Sequence, residues 1–142
     1  MKSNEIIPLI VFAPGMMAGA EKVVIGSIEG LIEIGILPKI IIIKETRKPQ
    51  FAEEFLKYIP AQVEVIVLET YSAIDLRLIN SLRRIFNHLN ANHVIHTHGF
   101  KALIYSNIAN LKLIHTHTHH GDTSFDLKVR IYESIARFFM KR

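Results

Sequence analysis

Five short apolar runs punctuate the chain, and between them lie longer stretches whose apolar residues recur three and four apart. The runs cover residues 6–12, 38–44, 63–68, 93–97 and 112–117. They are rich in β-branched residues and apolar on both alternating faces, which predicts parallel strands covered on each side by helices. The intervening stretches, 20–34, 50–58, 73–89, 100–111 and 125–140, predict helices. In the third, Leu76, Ile79, Leu82, Ile85, Phe86 and Leu89 form one apolar stripe.

Local punctuation agrees with these boundaries. Gly35 follows the first helix as a C-cap glycine would. Pro49 stands near the start of the second, where a missing N–H costs little. Asp75 falls in the first turn of the third, on the favourable side of its dipole, and Ser124 is placed to cap the fifth. Five β-α units in succession predict an α/β fold: a doubly wound, Rossmann-like parallel sheet of about five strands, order 3-2-1-4-5, with helices on both faces. Nothing resembles a repeat, a linker or a low-complexity segment, so one domain is expected over residues 1–142.

Composition narrows the function classes. The 142 residues are 49% hydrophobic, enough for a sizeable core and too many for a disordered chain. Cysteine is absent, which excludes a disulfide framework and thiolate metal sites. A formal charge of +4 favours anionic partners. The basic residues are scattered, with local density only near the C-terminus, so nucleic acid is not an expected partner. No run reaches the length of a membrane span. The opening "MKSNEIIPLIVFAPGMMAGA" carries a lysine, an apolar stretch and small residues, but Glu5 and Pro8 favour a buried first strand over a secretory signal.

Ligands of a doubly wound sheet bind beyond the carboxyl ends of the strands, where the strand order reverses. That point lies between strands 1 and 4, and the three unusual loops follow strands 1, 4 and 5. They are "APGMMAGAEK", "HTHGFK" and "HTHHGDTS". In the first, Gly15 and Gly19 allow close backbone approach, and a helix N-terminus follows that can offer N–H groups to a phosphate. It matches neither the dinucleotide fingerprint nor a P-loop; a strand-to-helix turn shaped by glycine is the plainer reading.

The histidines need the same weighing. His115, His117 and His119 stand two apart, about 6.6 Å between alternate residues of a strand, and would share one face. Zinc takes nitrogens at about 2.0–2.1 Å, so three in a straight row fit it poorly; a further ligand from His96 or His98 is conceivable. His96 and His115, inside strands, are expected to be core histidines bonded to neighbours. His88 and His93 flank a helix–strand turn and are expected to face solvent. His98, His119 and His120 fall at the cleft, with Asp122 the nearby carboxylate. No metal is expected. The last segment, "FDLKVRIYESIARFFMKR", reads as a sheet-covering helix with a basic face, and alternatively as a contact for an anionic membrane.

The stretches "AGAEKVVIGSIEGLIEIG", "VIHTHGFKALIYS" and "HTHHGDTS" resemble the N-terminal, acceptor-side domain of the family 4 glycosyltransferases of the GT-B fold, in the same order and over nearly the whole chain. The resemblance implies retaining transfer of a sugar from a nucleotide-sugar donor to a glycan or lipid-linked acceptor, without a metal or other cofactor. It implies that Ala18, Gly19 and the adjoining Gly15, with Ala20 and Glu21, approach the donor diphosphate. It further implies that His120, or alternatively His119, lines the reaction centre. His98, Gly99, Phe100, Lys101 and Asp122 then belong to the acceptor side of the cleft. Polysaccharide biosynthesis in the cytoplasm, at the inner face of the cell membrane for a lipid-linked acceptor, is implied by the family alone.

The family binds most of the nucleotide in a second domain through an E-x7-E pair. Glu21/Glu29 and Glu45/Glu53 match that spacing, but on the first helix and around the loop to the second, and are read as chance. The chain ends at "FFMKR", within or just after the fifth predicted helix. The expectation is therefore an acceptor half without its donor half: a fragment, a truncated product or one part of a split system, inactive alone. Two other readings stand beside it. One is a non-catalytic module binding a small anionic ligand or a protein; the other is a histidine metal site.

Overall fold

The computed structural model describes residues 5–110 and 112–120. Their order is β1 (Ile7–Phe12), α1 (Gly19–Glu33), β2 (Lys39–Glu45), α2 (Pro49–Leu56), β3 (Glu64–Thr70), α3 (Leu76–Asn87), β4 (His93–His98), α4 (Phe100–Ala109) and β5 (Ile114–Thr118). The five strands form one parallel sheet in the order β3-β2-β1-β4-β5. This is the doubly wound, Rossmann-like arrangement that the alternation of apolar runs predicts. The expected fifth helix, with Ser124 at its start, lies outside the described residues.

Alternation along β1 and β2 divides the core in two. Leu9, Val11, Ile41 and Ile43 point to one face, where Leu78, Leu82 and Phe86 of α3 and Ala102 and Tyr105 of α4 cover them. Ile10, Phe12, Ile40 and Ile42 point to the other, beneath Val24 and Ile28 of α1 and Phe55 of α2. The connections after β1 and β2 therefore cross one face and those after β3 and β4 the opposite one, which places the reversal between β1 and β4.

Among the described residues two glycines have positive φ, and each closes or opens a helix. Gly35 (φ 83°) follows the C-cap of α1, and Gly99 (φ 79°) is the N-cap of α4; a side chain is disfavoured at either. Pro49 occupies the start of α2 as expected. The third helix begins at Leu76, the first residue of the apolar stripe, and not near residue 73 as the predicted range 73–89 has it. Asp75 is its N-cap, accepting from the N–H of Arg77 (3.0 Å) and Leu78 (3.4 Å). The preceding loop is pinned by Tyr105 of α4, whose hydroxyl donates to the carbonyl of Ala73 and accepts from the N–H of Asp75, each at 2.9 Å. Burial pushes the Asp75 carboxyl up, and the amide hydrogen bonds from Tyr71, Leu78 and Arg77 outweigh it, leaving a lowered pKa.

Candidate functional site

The loops after β1 and β4, and His119 and His120 just beyond β5, lie at the carboxyl edge of the sheet on either side of the β1–β4 reversal; the rest of the third loop lies outside the described residues. The loop after β1 is held by a residue downstream of it. Glu21, in the first turn of α1, is 5% exposed, and its Oε1 accepts from the N–H of Gly15 (2.9 Å) while Oε2 accepts from the N–H of Ala18 (3.2 Å). The second contact is half of a capping box; Ala18 has no side-chain oxygen to complete it. The carboxylate thus fills two of the loop amides that the resemblance would offer to a diphosphate. The first-turn N–H groups of Gly19 and Ala20 have no acceptor within the helix. Gly19 is exposed, and nothing described lies within 4 Å of where a Cβ would stand on it, so packing does not demand a glycine there. Open space beside free amides is what close approach of an anion requires.

The histidines of β4 and β5 sort onto the two faces by strand alternation. Register pairs Thr97 with His117 and His98 with Thr118. On the α3–α4 face, the Thr97 hydroxyl lies 2.9 Å from Nε2 of His115 and 2.9 Å from Nδ1 of His117, with the Thr116 carbonyl at 3.4 Å. A hydroxyl donates once, so at least one of these rings gives it an N–H. His119 continues this face and packs its ring against Phe100, centroids 5.1 Å apart. On the α1 face, Nε2 of His96 meets the Thr118 hydroxyl at 2.8 Å, and Nδ1 of His98 meets Nε2 of His120 at 3.3 Å. The rings of His96 and His98 are 4.4 Å apart, and those of His98 and His120 stack at 5.4 Å.

Burial favours the neutral form of His96, His98, His115, His117 and His120. It pushes His98 down to about 3, with the neighbouring His96, His120 and His117 adding to the shift. Burial likewise pushes His115 and His117 down to about 4, each helped by nearby histidines. His120 is lowered by burial too, and the Glu21 carboxylate acts on it in the opposite direction. Glu21 therefore stands close enough to be felt by His120, which links the loop after β1 to the end of β5.

The residues named from sequence divide accordingly. Gly15, Ala18, Gly19, His98 and His120 gather at the edge on the α1 side. Gly99 caps α4, and Phe100 and His119 lie together on the α3–α4 side. Lys101 is not a free cation, because its Nζ pairs with Glu45 at 2.7 Å. Asp122 lies outside the described residues. His98 forms a wall behind His120, since it is 1% exposed. His96 and His115 are strand histidines bonded to neighbouring hydroxyls as expected, but they are half-buried and not part of the core. His88 is exposed and bonds the Arg84 carbonyl, but His93 is buried, against expectation: it opens β4 beside β1 and bonds Asn90 Oδ1 at 2.9 Å.

A metal site joining His115, His117 and His119 with His96 or His98 is ruled out by geometry, because the two sets point to opposite faces. Among the described residues no group of three ligating side chains is arranged to hold a metal ion. Sequence reasoning passed over Thr97 and Thr118, which hold the rings, although their alternation with histidine in "HTHG" and "HTHTHH" is the signal for it. At the opposite, amino edge lies a cavity of about 300 Å³ lined mainly by Ile6, Ile7, Ile36, Leu37 and Pro38, with Lys39 and Glu64 at its rim. None of the candidate binding or catalytic residues named from sequence lines it. Among the described residues no helix is long and apolar enough to cross a membrane. Comparison with family models, characterised proteins and solved structures finds no match.

Proposed function

We propose that the chain is the acceptor-side domain of a retaining, family 4-like glycosyltransferase, acting between a nucleotide-sugar donor and a glycan or lipid-linked acceptor. The observation that supports it best is that Glu21, which holds the loop after β1, stands close enough to act electrostatically on His120 of the His98–His120 pair beside the strand-order reversal. The amides of Gly19 and Ala20 then offset charge on the departing diphosphate, where fixed dipoles act without reorganising. His120 holds an oxygen at the reaction centre, with His119 the alternative, and Gly99 and Phe100 wall the acceptor. These 142 residues supply one side of the cleft, so the chain alone is expected to bind but not to turn over a nucleotide sugar. The reading places the protein in the cytoplasm, at the inner membrane face where the acceptor is lipid-linked.

A second reading is a non-catalytic binding module. The observation favouring it is that Glu21 already occupies the N–H groups of Gly15 and Ala18. One experiment separates the two. Nucleoside diphosphate sugars are titrated into the wild-type chain and into Gly19→Leu, whose side chain enters open space and leaves the fold intact. The glycosyltransferase reading expects saturable binding near the millimolar range, about −4 kcal/mol, and its loss in Gly19→Leu at unchanged thermal stability. Equal binding by both proteins, or none by the wild type, would reject the reading.

A further inference from the structure

The contact between His98 and His120 carries information about which ring holds which proton. Nδ1 of His98 and Nε2 of His120 face each other at 3.3 Å. Both rings are neutral near pH 7, so one facing nitrogen carries a hydrogen and the other a lone pair. The remaining nitrogen of His98, Nε2, is buried and has no hydrogen-bond partner among the described residues. If His120 donated, His98 would keep its own proton on that atom, as a buried N–H with nothing to receive it. If His98 donates, the same atom is a bare lone pair. Buried donors are left unpaired more rarely than acceptors, which favours the second arrangement.

We propose that His98 is a positioning residue: it donates its Nδ1–H to Nε2 of His120, fixing His120 with its own proton on Nδ1. His120 then presents an N–H, not a lone pair, to whatever occupies the cleft. It serves as a hydrogen-bond donor to a sugar or phosphate oxygen and cannot act as a general base in that state. The surroundings hold His98 in place. Its ring lies against His96 on the same strand and edge-on to Phe12 at the end of β1, with centroids 4.4 and 6.3 Å away. The charged or titratable neighbours of His120 are Glu21 on α1 and His98, His96, His117 and His119 on β4 and β5 and just beyond. None of these faces the unpartnered Nε2 with a hydrogen-bonding atom. The consequence for chemistry rests on the placement of His120 at the reaction centre proposed above; the tautomer itself does not.

The test is long-range proton–nitrogen correlation of the histidine rings in the full chain, at pH 7.5 with a chelator present. The wild type is expected to show both His98 and His120 protonated on Nδ1. His98→Asn, whose amide nitrogen stands where Nδ1 stood, is expected to keep the His120 tautomer. His98→Phe, which fills the space without a donor, is expected to release His120 to a mixture of both forms. His120 protonated on Nε2 in the wild type would overturn the proposal. So would a tautomer unchanged in His98→Phe, or ring signals that move when the chelator is added, since a metal would then bridge the pair. No substrate is used, so failure here is separate from failure of the glycosyltransferase reading. In a completed enzyme, His98→Phe is expected to lower kcat at least tenfold with KM little changed, and His98→Asn to restore most of it.

Discussion

Strands β2 and β4 hold equivalent places, each paired in parallel with β1, yet they are built from opposite materials. The middle of β2 is Ile40-Ile41-Ile42-Ile43, every residue at most 1% exposed. The sequence of β4 is HVIHTH, with Thr97 and His98 as deeply buried as those isoleucines. Burying apolar area is the main force that holds such a sheet together. Polar groups in the same environment contribute little unless each finds a partner, and here the nitrogens of His98 and His117 are only half satisfied. A strand needed only for folding would be made like β2. The composition of β4 therefore marks the half of the sheet shaped by something other than stability, and its polar residues sit at the carboxyl end beside the reversal.

The largest expected effect follows from protonation of that half. An unfolded histidine takes its proton near 6.5, whereas the folded chain keeps His115 and His117 neutral down to about 4 and His98 down to about 3. Between those values the unfolded chain binds more protons, so stability falls as pH falls from 6.5 towards 4. Each pH unit of the gap is worth at most about 1.4 kcal/mol per ring. Urea unfolding midpoints measured across this window should drop steadily, and a flat profile would break the contrast between the strands. The next effect isolates β2. Ile42→Ala should cost about 2–5 kcal/mol by cavity formation, whereas His98→Phe should change stability by about 1 kcal/mol or less, in either direction. Equal losses at the two positions would show that β4 is a stability strand after all.

The same contrast explains what could be read from the chain. The isoleucine run and the alternating helices announce a parallel sheet, and the apolar stripe of α3 is visible by spacing alone. Its start was not, because Ala73 and Ile74 fit the helical pattern while Asp75 caps the helix and Tyr105 of α4 ties the loop before it. That the loops after β1 and β4 lie beside the end of β5 follows from strand order. The pairing of His98 with His120 does not, since it depends on the register that sets His98 beside Thr118. Glu21 was legible as part of a small-residue loop, but its grip on Gly15, six residues upstream, is a tertiary fact. His93 looked like a turn residue and is buried because β4 begins with it.

The proposed function requires a diphosphate-bearing ligand to meet this chain at the carboxyl edge. The most direct measurement is a titration of the ¹⁵N-labelled protein with inorganic pyrophosphate at pH 7.5, following backbone amides and histidine rings together. Saturable shifts are expected at Gly19 and Ala20 and at the ring of His120, with Ile6, Leu37 and Lys39 at the amino-edge cavity unmoved. Shifts centred on that cavity, or none at the carboxyl edge up to tens of millimolar, weaker than about −3 kcal/mol, would contradict the proposed function.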